Sequence, residues 1–177
     1  MPLADPSTSD VLDVIRQRLQ VLYTYDTDKY STLVSEVVLP SREFDDNALE
    51  EMPQAPKDSQ IVVSIGGMTR IRDLDCPGNP PRQAWRIEFR IRLRLMPSET
   101  DNEDIDTKLL RFVRDVRKAI VSDANGDYVS DWYTFGGKAL IADWGDEYER
   151  LINDGTSQSD GYVLPLLVDM RLNENSL

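Results

Sequence analysis

The sequence predicts an α+β fold: a mainly antiparallel sheet with two helices packed on one face. Three observations carry that prediction. Apolar residues recur at helical spacing in two segments, 7–22 and within 97–123. Strict alternation of polar and apolar residues runs through 84–96, the period of a strand with one covered and one wet face. The order is helix, strands, long strand, helix, then two strands, which suits helices gathered on one side of an antiparallel sheet. A chain of 177 residues suits one domain, residues 1–177, and can build a core without disulfides or metal.

Each element has a local cause. Ser7 and Asp10 have the spacing of a helix cap, and Val11, Leu12, Ile15, Leu19 and Leu22 form one stripe behind them. The β-branched run "STLVSEVVL" (31–39) reads as a strand, with a short helix as the alternative. Three prolines and many acids at about 40–59 predict a long exposed loop, either a loose insertion or a partner-binding arm presenting Phe44, Leu49 and Met52. "QIVVSI" (60–65) is a strand, Gly66-Gly67 a hairpin turn, and "MTRIRDL" (68–74) its return. A capping box at Thr100 and Glu103 opens the second helix. Its stripe is Ile105, Leu109, Phe112, Val113, Val116 and Ile120, and the glycine turn "DANGD" ends it. A turn at Gly136-Gly137 leads to a strand near 138–144. Residues 162–172 form the last strand, where Pro165 signals a sheet edge or a bulge.

Composition removes whole classes of chemistry. The chain has no histidine, which excludes Ser-His-Asp and Cys-His catalysis and histidine-ligated metals. One cysteine, Cys76, excludes an intrachain disulfide and a cysteine zinc site, and it reads as an incidental thiol. The net charge of −12 argues against free nucleic acid or an anionic membrane as partner. The start of the chain lacks a signal peptide, and no stretch approaches a membrane span, so the expectation is a protein made and kept in a cytosol or packaged into something assembled there.

No motif supplies a cofactor or metal. "DTDKY" and "DANGD" resemble pieces of calcium loops, but their sixth and twelfth positions are Ser31 and Val37, and Tyr128 and Thr134. Both read as solvated turns. "IGGMTR" and "FGGKAL" match neither phosphate-binding glycine motif and read as turns. The acids of "SETDNEDID" suit a helix start. The aromatics of "SDWYTF" and Trp144 read as core or hairpin-face residues, with an exposed one serving as an interface anchor.

The feature left over is "WRIEFRIRLRL" (85–95), which carries Arg86, Arg90, Arg92 and Arg94 on one strand of an acidic chain. Either these arginines are the wet face of the strand, offset by acids on neighbouring strands, or they meet an acidic surface on another copy. Unlike faces that meet head-to-tail form rings when the rotation closes.

The order of "DVLDVIRQRLQVLY", "MPQAPKDSQIVVSI", "WRIEFRIRLRL", "EDIDTKLLRFVRDVRKAI" and "YVLPLLVDMRL" resembles the tail terminator (tail completion) proteins of long-tailed bacteriophages across nearly the whole chain. The resemblance is one of layout and patterning. It implies a non-enzymatic virion structural protein without cofactors, assembled in the host cytoplasm and housed in the tail or neck. Such subunits form a homo-oligomeric ring, commonly a hexamer, that ends tail polymerisation and joins the tail tube protein to a head or neck connector. Genomic DNA would pass through the lumen without specific binding, and no membrane is involved. On this reading Arg90, Arg92 and Arg94 contribute to the subunit contact, and Phe44, Leu49 and Met52 to a neighbour-binding arm. The alternatives are another head–tail connector and, in a different class, a small carboxylate-using enzyme or a calcium-binding module.

Overall fold

The computed structural model describes residues 7–24, 30, 36–38, 59–77, 81–95, 104–123, 125–151 and 160–172. The elements are α1 (Thr8–Leu19), α2 (Val21–Thr24), β1 (Glu36–Val38), β2 (Ser59–Arg70), β3 (Gln83–Leu95), α3 (Ile105–Ile120), β4 (Ile141–Trp144), β5 (Glu149–Leu151) and β6 (Asp160–Leu172). Short 3-10 turns lie at Arg72–Leu74 and Trp132–Thr134. The strands join one sheet in the order β1-β2-β3-β6-β4, with β5 also on β6. Among the described strands only the β1–β2 pair is parallel. The architecture is therefore the α+β class that the periodicities predict.

The helices start where their caps place them. The Ser7 hydroxyl accepts from the Asp10 N–H, and the Asp10 carboxylate accepts from the Ser7 N–H at 2.7 Å. The Ser7 N–H first, and then the Ser7 hydroxyl donating to the same carboxylate at 2.8 Å, hold the Asp10 carboxyl below its usual range. For α3 the cap is Asp104, whose carboxylate accepts from the Thr107 N–H at 3.1 Å. The Thr100–Glu103 box lies outside the described residues, and Asp104 supplies the same service closer to the first turn.

Val11, Ile15 and Leu19 of α1 and Phe112, Val116 and Ile120 of α3 pack in one core with Ile61 and Val63 of β2. Ile87, Phe89, Ile91 and Leu93 of β3 and Leu164, Leu166, Val168 and Met170 of β6 complete it. Both long helices thus cover the same face of the sheet, and burial of this apolar area is the main source of stability.

Three expectations are corrected. Gly66-Gly67 is not a hairpin turn, and 68–74 is not a returning strand. β2 runs straight through the glycines to Arg70, and its register against β3 shifts between Ile65 and Gly67, the mark of a bulge. Between β2 and β3, Cys76 and Arg82 exchange paired backbone bonds. Pro165 is on an inner strand, not an edge. It faces Arg90 across β3–β6, while on the other side β4 reaches only Leu166 and β5 only Val163. Its carbonyl accepts from the Gly145 N–H at that break. A strand residue points its N–H and C=O the same way, so the donor that proline lacks falls in the gap between two short strands. Finally, "DANGD" forms a turn in which the Asp123 carboxylate accepts from the Asn125 and Asp127 N–H groups. Its glycine lies beyond Val121, the residue that closes α3. The Gly136-Gly137 turn is as expected, both residues having positive φ. The 40–59 segment lies outside the described residues except for Ser59, which opens β2.

Candidate interface on the arginine face of the sheet

Alternation along β3 sends Ile87, Phe89, Ile91 and Leu93 into the core and leaves Arg86, Glu88, Arg90, Arg92 and Arg94 on the face away from the helices. Register then fixes what flanks each charge. Arg94 lies between Gln60 and Gly161, Arg92 between Val62 and Val163, and Arg90 between Ser64 and Pro165. Glu88 lies between Gly67 and Leu167, and Arg86 between Thr69 and Asp169. The three arginines singled out from the sequence are thus brought together on one face, in steps of about 7 Å. Phe44, Leu49 and Met52 lie outside the described residues.

At one end of the row an acid on the neighbouring strand offsets the charge. Asp169 takes a two-bond contact from Arg86, Nε to Oδ1 at 2.8 Å and Nη2 to Oδ2 at 2.9 Å. Asp169 is buried, and the contact raises the Arg86 guanidinium's affinity for its proton, the hydrogen bond ahead of the Coulomb attraction. Replacing Arg86 by alanine strands that carboxylate. The expected cost is about 2 kcal/mol, below the range for fully buried pairs because Arg86 is half exposed to solvent. A urea midpoint lowered with unchanged slope would show it, and a change within about 0.5 kcal/mol would contradict it. Arg90 is held from within its own strand, Nε donating to the Glu88 Oε1 at 2.8 Å. Gly66 makes room for it, because a methyl group on Gly66 would run into the Arg90 side chain.

The other end of the row is different. Arg92 and Arg94 are half-buried, and their register partners on β2 and β6 are Val62 and Val163, and Gln60 and Gly161. Burial first, and the like charge of Arg92 second, push the Arg94 guanidinium below its ordinary value. Around them Gln60, Val62 and Val163 are buried although they lie on the side away from the helices. The result is a row of positive charge whose immediate neighbours are covered. Guanidinium groups keep their protons at any working pH, so such a strip orients and holds anions rather than moving protons. Among the described residues no group of three potential metal ligands occurs, and no helix is long and apolar enough to cross a membrane.

The aromatic residues divide. Phe135 is buried, Trp132 and Trp144 pack partly against the core, and Tyr133 and Tyr128 are exposed. Sequence reasoning missed two contributors. Asp169 could not be paired with Arg86 without the register of a strand 83 residues away. The acidic stretch "DWGDEYE" (143–149) was visible as a run of charge, but its place on the sheet edge was not. Compared with known proteins, the chain matches no family model and no curated sequence.

Proposed function

We propose that this protein is a virion structural subunit of the tail-terminator type. It works as a homo-oligomeric ring, commonly of six copies, that caps the tail tube, ends its polymerisation and joins it to the head or neck connector. The observation that carries this reading is the arginine-lined sheet face of a chain whose net charge is −12. A basic strip on an acidic protein is complementary to its own remaining surface, which favours head-to-tail self-association over binding a foreign polyanion. The resemblance of element order to tail terminators supports a tail setting for the ring. The subunit needs no cofactor and performs no catalysis. A lumen lined with the excess negative charge would let genomic DNA pass without gripping it.

The test is electron microscopy of growing tail tubes with and without the purified protein. The reading expects a ring at one tube end and a length distribution that stops broadening after addition. Tubes that elongate unchanged, with bare ends, would overturn it.

A further inference from the structure

We propose that the two unlike edges of the sheet join copies of this chain. The β2 edge of one copy, from Met68 to Leu74, receives the β4 edge of a second copy, Ile141 to Glu147 with Tyr133 beside it. This inference rests on the ring reading above and names a contact that the ring requires.

Both edges are exposed, Met68, Thr69 and Arg70 on one and Ile141 and Asp143 on the other. β1 pairs with β2 only at Gln60–Val62. Among the described residues no strand lies on the outer side of β2 from Val63 to Arg70, or on the outer side of β4. Among the described residues seven large apolar side chains are well exposed, and five of them lie at these two edges. Met68 and Leu74 are at the end of β2, while Tyr133, Leu140 and Ile141 are at the start of β4 or in the turn packed against it. Apolar side chains gathered in this way mark a contact surface, whereas single ones scattered over a protein do not.

The charges of the two edges are opposite. Around the β2 edge, Arg70, Arg72, Arg82 and Arg171 stand against Asp73 and Asp75, a local positive excess on a chain of net charge −12. Arg70 bonds Asp75 at 2.8 Å, and Arg72 is exposed with no ion pair to a described residue. On the β4 edge Asp143, Asp146, Glu147 and Glu149 are all exposed, and none forms an ion pair with a described residue. The nearby cations are turned to other work. Arg150 bonds Asp106 at 2.7 Å, Arg117 lies over the Trp144 and Tyr148 rings, and Lys138 acts on the Asp10 carboxyl.

The edges are also level. Register places Thr69, Arg86, Asp169 and Ile141 in one row across the sheet, and Gly67, Glu88, Leu167 and Asp143 in another. Three strand spacings, about 14 Å, keep the two edges apart within one copy. Between copies, level edges join without a step along the strands. Unlike surfaces joined by rotation alone close into a ring, whereas a step at each contact builds a filament. The Trp144 N–H is already taken by the Asp143 carboxylate at 2.8 Å, so the contact is made by side chains and does not continue the ladder.

The experiment measures the mass of four full-length chains by light scattering after sizing, alone and with tail tube added. They are the unaltered chain, Arg72→Glu/Leu74→Glu, Ile141→Lys/Asp146→Lys/Glu147→Lys, and the chain carrying all five changes. Every altered position is exposed, and far-UV circular dichroism and melting confirm that each chain is folded. Changing one edge alone sets like charges face to face and is expected to weaken assembly by on the order of 100-fold. The five-change chain, and an equal mixture of the two proteins altered at one edge, should regain the oligomer, because in both every contact again joins opposite charges. An oligomer unmoved by the changes at either edge, or a mixture that stays monomeric, overturns the inference and leaves the ring reading standing. An unaltered chain that is monomeric even with tube added overturns both.

Discussion

Replacing Arg18 by alanine is expected to destabilise the protein by about 3 kcal/mol, an effect unusual for a charged helix residue. Arg18 leaves α1 half-buried and donates through Nη1 to two carbonyls, Ile120 at 2.6 Å and Trp132 at 3.1 Å. Ile120 is the last residue of α3, where carbonyls have no partner inside the helix. Its guanidinium also lies 4.8 Å from the Phe135 ring centre. Phe135 has φ 49°, a left-handed backbone that a residue with a Cβ adopts only when its surroundings compel it. One side chain thus ties the first helix to the end of the other and to the strained turn before β4. Burial pulls the Arg18 guanidinium's pKa down while Asp131 pulls it up, so it is a charge kept inside for its bonds. Chemical denaturation measures the loss. Arg18→Lys should recover less than half of it, since a single ammonium cannot span two carbonyls and a ring. The exposed neighbour Arg16 is the control, with alanine there costing no more than about 0.5 kcal/mol. Equal effects at the two positions would contradict the account.

Gly161→Ala is expected to cost a similar amount, about 3 kcal/mol, through the backbone. Gly161 faces Arg94 near the start of β6, and an added Cβ would lie 1.9 Å from the Leu93 carbonyl oxygen. A flexible side chain could step aside, but a carbonyl locked in the β3–β6 ladder cannot. The strands must part over their last pairs, disturbing Leu93, Tyr162 and the Arg94 end of the strip together. Gly67→Ala tests the logic, because its Cβ would meet nothing within 4 Å. Its expected change is within about 0.5 kcal/mol. Hydrogen exchange should show faster opening at Gly161 and Tyr162 in the first variant only. Equal melting temperatures for the two variants would contradict the claim.

These two residues mark where sequence reading stops. Helical stripes and strict alternation rest on periods of a few residues, so α1, α3 and β3 were legible, although α3 opens at Asp104 rather than at the cap read at Thr100. The common face of Arg90, Arg92 and Arg94 was legible for the same reason. What surrounds them was not, because Val62 and Val163 reach that face through a register set by strands far apart in the chain. Gly66-Gly67 carried a real signal with two meanings. Glycine serves a hairpin turn and a bulge equally, and only continued pairing as far as Arg70 decides for the bulge. Pro165 was misplaced because the rule that keeps proline at edges concerns the missing donor, and a gap between β4 and β5 satisfies it on an inner strand. Arg18 looked like any solvated helix charge, and its role depends on where α3 and the Trp132–Thr134 turn end up.

The central claim is that an acidic chain uses a basic sheet face to join copies of itself. The most direct measurement is the mass of the purified, unaltered protein by light scattering at low and high salt, alone and with tail tube added. The account predicts a discrete oligomer near six copies, or a monomer that assembles on the tube, with assembly weakened as salt screens the charges. A protein that remains a monomer at every salt concentration and in the presence of tube would contradict it.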